Sequence, residues 1–459
     1  MKNLSGSDDL KLSSLDHLWM PNTGWEDLSE KGGPPIANIG DGIRVTDLEG
    51  RTWIDVNGGY FSVNVGHGRL EIAQAVYDQM VKLSFAPPGT VAEPTIRIAN
   101  KLAAISPGSL SRVFLVSGGS EANETALKIA RAYHYRRGEP DRHKVISRKG
   151  SYHGATAGVR WLGSTTTALA EYDKPLIDGI LHAPSPNPYR CDLGGSNPSE
   201  CATLCAEAIE QIILDNDPRT ISSVIAEPIA ARECIVPGDE YWPMLREICD
   251  KYGILLIADE IITGFGRTGK MFALEHWDVV PDIMTVAKGV VSSYLPFGAA
   301  IATETVAEVF AGTDNYLRHV FTASGHPVSS AAALVNIEII EREDLVNNAK
   351  LIGTYFLTQL EGLMSDHPII GDVRGLGLLF GVELVSDRDT KKNFTVNSGF
   401  ASNLSSKLQN KGLWVRVGQG TLNMGPPLCI NRTEVDEIIH CLDLSLWELE
   451  GEMKIWSTI

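Results

Sequence analysis

Between residues 111 and 303 the chain alternates short Val- and Ile-rich runs with longer amphipathic stretches, and this order restricts the available folds more than any other feature. The short runs are SRVFLVS (111–117), KVISR (144–148), ISSVIAE (221–227), GILLIAD (253–259), DIMTVAK (282–288) and FGAAIAT (297–303). They stay within strand length and lack strict polar–apolar alternation, which marks strands covered on both faces. Between them, EANETALKIARAYHYRR (121–137) and YWPMLREICDKY (241–252) carry helical spacing. Repeated strand-helix-strand order builds a mainly parallel, doubly wound α/β sheet. Ligands of such sheets bind beyond the carboxyl ends of the strands. The polar residues found there are the GGSE after the first run, Ser151-Tyr152-His153 after the second, Glu227, Asp259 and Lys288.

Past about Gly325 the pattern changes. SGHPVSSAAALVNIEIIERED and DLVNNAKLIGTYFLTQLEGLM have the spacing of long helices, DVRGLGLLFGVELV (372–385) reads as paired strands, and helix, strand and helix follow. A smaller α+β domain is expected over 326–459, beside a large domain over 60–325. Residues 1–59, with a hairpin around Glu49-Gly50, are expected to join the smaller one. A chain of 459 residues with 43% apolar side chains has core enough for both.

The formal net charge of -17 argues against broad binding to nucleic acid or anionic lipid. No run approaches the ~18 apolar residues that span a bilayer, and MKNLSGSDDLKLSSLDHLWM lacks a signal-peptide core. A cytoplasmic protein, with no membrane partner, is expected. Seven scattered cysteines suit reduced thiols. Cys201 and Cys205 lie one helical turn apart, but no second pair with metal spacing follows, so packing roles and no metal are expected.

GFGRTGKM (264–271) imitates two nucleotide motifs. Its glycines start five residues after Asp259 rather than leaving a first strand directly, and Met271 stands where a P-loop needs a hydroxyl. A turn between the sheet and its neighbour is the better reading. SGGSEANETALKIARAY, from Ser117, is the better anion site: a strand ends, two glycines allow close approach, Ser120 offers a hydroxyl, and a helix opens. A capping box with Ser120 as N-cap explains the same residues.

Asp259 and Lys288 each end an apolar run, where a lone charge is costly. They could neutralise each other. Alternatively, each could serve one cofactor: pyridoxal phosphate needs an amine for a Schiff base, a carboxylate for its ring nitrogen, an anion cup and an aromatic face. Lys288, Asp259, Gly119 with Ser120, and Tyr152 supply these in turn.

On the motifs SGGSEAN (117–123), SYHG (151–154), AEPI (226–229), IADEIITGFGRTGKMFA (257–273), TVAKGV (285–290) and FTASGHPVSSAAAL (321–334), the chain resembles the class III aminotransferases, most closely their omega-transaminase branch. The resemblance runs from about Trp19 to Leu449. It implies a fold-type I pyridoxal-phosphate enzyme with a mainly parallel seven-stranded sheet. Lys288 would carry the cofactor and move the proton, and Asp259 would pair with the ring nitrogen. His153 and Glu227 would belong to the cofactor site, and Ile261 would pack on the ring face opposite Tyr152. Gly119 and Ser120 would bind phosphate, joined by Thr322 from a neighbouring subunit, which implies a homodimer or a dimer of dimers. Arg416 matches the mobile arginine that binds the acceptor's carboxylate, and Tyr60 and Phe85 fall where substrate pockets are lined.

The chain departs from the family pattern after AEPI, where AARECIVPG places Arg232 near the pocket, and after SYHG, where Arg160 and Trp161 replace small residues. Either arginine could contact an acidic substrate or simply face solvent or an acid. The resemblance implies transfer of an amino group from an amine or omega-amino acid to a 2-oxo acid, with pyruvate expected, through pyridoxamine phosphate. An aminomutase or decarboxylase of the same fold, or a silent binding homologue, are the rivals.

Overall fold

The structure is a computed structural model that describes residues 6–21, 23–87, 89–163, 178–395, 399–418 and 420–453. Three N-terminal strands, β1 (Ala37–Asp41), β2 (Arg44–Asp47) and β3 (Thr52–Asp55), form an antiparallel meander. Its last turn closes at Glu49-Gly50, with Gly50 at φ 81° and the Arg51 amide donating to Asp47 Oδ1 at 2.8 Å. Leu413 and Trp414 pair in parallel with β3, so segments from both ends of the chain share one four-stranded sheet.

The large sheet has seven strands: β4 (Leu110–Val116), β5 (Lys144–Arg148), β6 (Ile180–Ala183), β7 (Ile221–Ala226), β8 (Leu255–Asp259), β9 (Ile283–Val286) and β10 (Gly298–Thr303). Their order is β4-β10-β9-β8-β7-β5-β6. The strands from β9 to β6 pair in parallel, while β10 runs antiparallel to both β9 and β4. Six of these strands coincide with the apolar runs. The seventh, β6, is a four-residue edge strand, ILHA, with a histidine inside it, too short and too polar to stand out.

Every residue of β7, β8, β9 and β10 is buried, which is why those runs show no alternation. Val224 and Leu256 face a layer built from the helices Pro198–Asp215 and Tyr241–Tyr252. Ile225 and Ile257 face the helix Gly119–Arg136 on the other side. Each such side chain contributes about 1.5–3 kcal/mol on burial, so the sheet is a rigid platform for whatever its strands present.

The helices Pro327–Arg342 and Leu345–Asp366 lead into antiparallel strands Ile370–Leu376 and Leu379–Asp387, the latter also pairing with Thr421–Met424. Residues 264–271 form turns, and no helix opens on their glycines. Arg267, fully buried, donates to the carbonyl of Leu378 at 3.1 Å, to the carbonyl of Pro426, and to Asn64 Oδ1 at 3.0 Å. Gly377 packs so closely on this segment that a Cβ would lie 2.3 Å from the Thr268 carbonyl carbon. The glycine-rich stretch is thus a joint between the large sheet and the C-terminal strands. No helix among the described residues is long and apolar enough to cross a membrane.

Candidate active site

Asp259 ends β8 almost wholly buried and is held by three donors. Asn123 Nδ2 and His153 Nδ1 each lie 2.8 Å from Oδ2, and the Ile261 amide donates to Oδ1 at 3.1 Å. An ionised carboxylate only accepts, so His153 donates from Nδ1. Asn123 also donates to the His153 carbonyl at 2.7 Å and accepts from Thr285 Oγ1 at 2.7 Å, which fixes its amide orientation. His153 Nε2 is buried with no protein partner. Helix 119–136, β8, β9 and the loop after β5 therefore meet at one carboxylate.

Lys288 follows β9 with its backbone in the left-handed region, φ 43°, unusual for a residue with a Cβ. A Cβ on the adjoining Gly289 would stand 2.4 Å from Asn64 Nδ2, so the turn fits tightly. Burial pushes the Lys288 amine down to about 8, opposed by the charges of Asp259 and Glu227 and reinforced by those of Arg267 and Arg416. Lys288 and Asp259 form no ion pair within 4.0 Å. Glu227, just beyond β7, is also buried, and desolvation raises its pKa against the pull of His153 and Arg148. The Arg148 guanidinium stands 3.7 Å away.

The helix Gly119–Arg136 starts two residues earlier than a Ser120 cap requires. Its N-cap is Gly118, with no side-chain cap, and Ser120 lies in the first turn, its Oγ accepting from the Ala155 amide at 3.0 Å. Glu124 turns away to the Thr156 hydroxyl at 2.7 Å and the Gly158 amide at 3.0 Å, so the capping-box explanation fails. A helix start without a side-chain cap leaves backbone N–H groups free for an anion. A Cβ on Gly119 would lie 2.9 Å from Ile261 Cδ1, so a larger residue would fill the cradle.

Gly119, Ser120, Tyr152, His153, Glu227, Asp259, Ile261 and Lys288 all line one cavity of about 150 Å³. The other candidates lie outside that lining. The Arg416 guanidinium sits 5.8 Å over the Tyr60 ring; both are exposed, and the arginine's charge helps lower the Lys288 pKa. Tyr60 itself has φ 64°, in a run of left-handed residues from Gly58 to Phe61 that Asn57 caps through the Tyr60 amide at 3.2 Å. Phe85 is part-exposed, its ring centroid 6.3 Å from that of His326. Thr322 is exposed. Arg232 is half-buried in the turn after β7, and Arg160 ends the short helix Ala157–Arg160. Asn123, Thr285 and Arg148 escaped the sequence reading as site residues; the one signal was the presence of Asn123 in SGGSEAN.

Residues 31–446 match the family model Aminotransferase class-III. The chain is 38% identical to a taurine–pyruvate aminotransferase of Bilophila wadsworthia, over 98% of this chain and 99% of the relative. It is 37% identical to a putrescine–pyruvate aminotransferase of Pseudomonas aeruginosa, over 94% and 95%. An omega-transaminase structure from Pseudomonas jessenii, in complex with PMP, superposes with a TM-score of 0.92 at 35% identity, covering 96% of this chain and 98% of the other.

Proposed function

Because the chain belongs to the class III aminotransferase family, we propose that this aminotransferase takes its amino group from an amine or omega-amino acid and passes it to a 2-oxo acid, pyruvate first among them. Members of the family use pyridoxal phosphate, and the residues present fit that group. An amine, a fixed carboxylate, an aromatic ring and an uncapped helix start line a single cavity. When bound, pyridoxal phosphate supplies an electron sink for ionising a C–H bond next to nitrogen and a place for the amino group between half-reactions.

Lys288 Nζ would hold the cofactor and then accept and return the proton, a task suited to an amine pushed down to about 8. Asp259 would keep a positive charge on the ring nitrogen. Asn123, His153 and the Ile261 amide hold the carboxylate in place for that role. The N–H groups at Gly119 and Ser120 would take the phosphate, and Tyr152 and Ile261 would flank the ring. Arg416 at the mouth would bind the carboxylate of the 2-oxo acid, beside Tyr60. Thr322, outside the cavity lining of its own chain, would complete the phosphate site of a second copy in a cytoplasmic homodimer.

The observation that carries this reading is the convergence of Lys288 and Asp259 on one cavity without an ion pair between them. Borohydride reduction of the purified holoprotein, followed by peptide mapping, should find the cofactor on the peptide containing Lys288. Label on another lysine, or an amine-dependent colour change that survives Lys288→Ala, would end the proposal.

A further inference from the structure

Cys191, Cys201 and Cys205 come together at the outer edge of the large sheet, and none of them lines the cavity. Cys201 and Cys205 lie one turn apart on the helix Pro198–Asp215, hence on one face. Cys191 arrives from the loop after β6, and all three sulfurs lie within 4.8 Å of one another. We propose that these three thiols form a binding site for Zn²⁺ or a similarly thiophilic divalent cation.

A zinc–sulfur bond of about 2.3 Å in tetrahedral geometry places the sulfurs roughly 3.8 Å apart. The observed spread therefore needs a closure of at most about 1 Å. Cys201 and Cys205 are buried on a regular helix, whereas Cys191 is half-buried on a loop, so a side-chain rotation there supplies the adjustment. The fold makes room for this approach at Gly195. A Cβ there would stand 3.1 Å from the Cys191 sulfur and 2.7 Å from the Cys201 amide nitrogen.

Each sulfur that binds gives its proton to solvent, and Cys205 gives up its weak donation to the Ser185 carbonyl at 3.4 Å. Water, or the carboxylate of Asp192 next to Cys191 in the chain, would complete the four-coordinate shell. Packing alone accounts for a single buried thiol such as Cys249. It gives no reason for three sulfurs to gather under a glycine. The same loop carries Arg190, paired with Glu383, and Tyr189, whose carbonyl accepts from Lys391 Nζ at 2.8 Å. A cation at Cys191 would thus anchor the loop that reaches the C-terminal strands.

The test uses the full-length holoenzyme after chelator treatment, titrated with Cd²⁺ as an optical probe and with Zn²⁺ against a chromophoric chelator. One equivalent per chain should give thiolate-to-cadmium charge-transfer absorption, and Zn²⁺ should raise Tm. Cys191→Ser changes a half-buried loop position, and it should weaken binding at least about tenfold and abolish the Tm rise. Cys441→Ser, half-buried elsewhere, should bind as the wild type does. Absence of charge transfer at one equivalent, or equal binding by Cys191→Ser, would overturn the site. Metal and Tm are read directly, so the result is independent of which amine the enzyme prefers.

Discussion

Among the described residues, two buried histidine–carboxylate pairs share a 2.8 Å separation, His153 with Asp259 and His367 with Glu450. His367 ends the helix Leu345–Asp366 and meets Glu450 through Nδ1 and Asp443 through Nε2, at 2.9 Å. Burial alone would lower its pKa, but hydrogen bonds donated to the two carboxylates outweigh that and raise it. Both ring nitrogens are satisfied, and the network is closed. His153 has one carboxylate, an Nε2 without a partner, and a cavity beside it. A closed pair works for stability; an open one holds a charge ready for something that is not protein. The pair is therefore uninformative without its surroundings.

That contrast yields graded expectations. Lys288→Ala should lower transamination by at least about a thousandfold with Tm little changed, as steady-state kinetics and calorimetry would report. Asp259→Asn should lower kcat of the amine half-reaction by roughly a hundredfold or more, followed by cofactor absorbance in single turnover; activity above half of wild type would erase the distinction between the pairs. Glu450→Gln should do the reverse. Unfolding in denaturant should show a loss of about 3 kcal/mol, with kcat/KM unchanged.

Arg416→Ala should raise KM for 2-oxo acids roughly tenfold while leaving the amine half-reaction nearly intact; equal losses in both halves would remove the arginine from its assigned role. The smallest effect concerns pH. The folded pKa of His367 is raised above 6.5, so its stabilisation is complete below 6.5 and lost as pH rises through the folded value. Tm of the wild type should therefore fall across that window, and His367→Gln should flatten the slope.

The parts of this protein that are local in sequence were legible, and the parts made by distant residues were not. The inner strands of the large sheet announce themselves because burial on both faces demands continuous apolar runs, and β4, at one edge, is long enough to show one of its own; β6, at the other edge, is four residues long and mostly part-buried. The residues that point into the cavity sit at strand ends, where topology predicts them. What holds them does not. Thr285 and Asn123 are 162 residues apart, and no local pattern links a threonine in one strand to an amide in the first turns of a helix. Cys191 was equally invisible beside Cys201 and Cys205, since the loop that joins them has no period to read. The glycine stretch was legible as a turn, but the burial of Arg267 within it was not, because its acceptors at Leu378 and Pro426 come from the far end of the chain.

Arg267 has a mechanical corollary. A guanidinium that nails the loop after β8 to carbonyls of the C-terminal segment acts as a dowel, and prying the two apart would strand a cation in a dry seam. If substrate enters past Tyr60 and Arg416 as proposed, room for a bulky amine has to come from that exposed pair. Enlarging the enzyme's repertoire by substitution should succeed there and fail at Arg267.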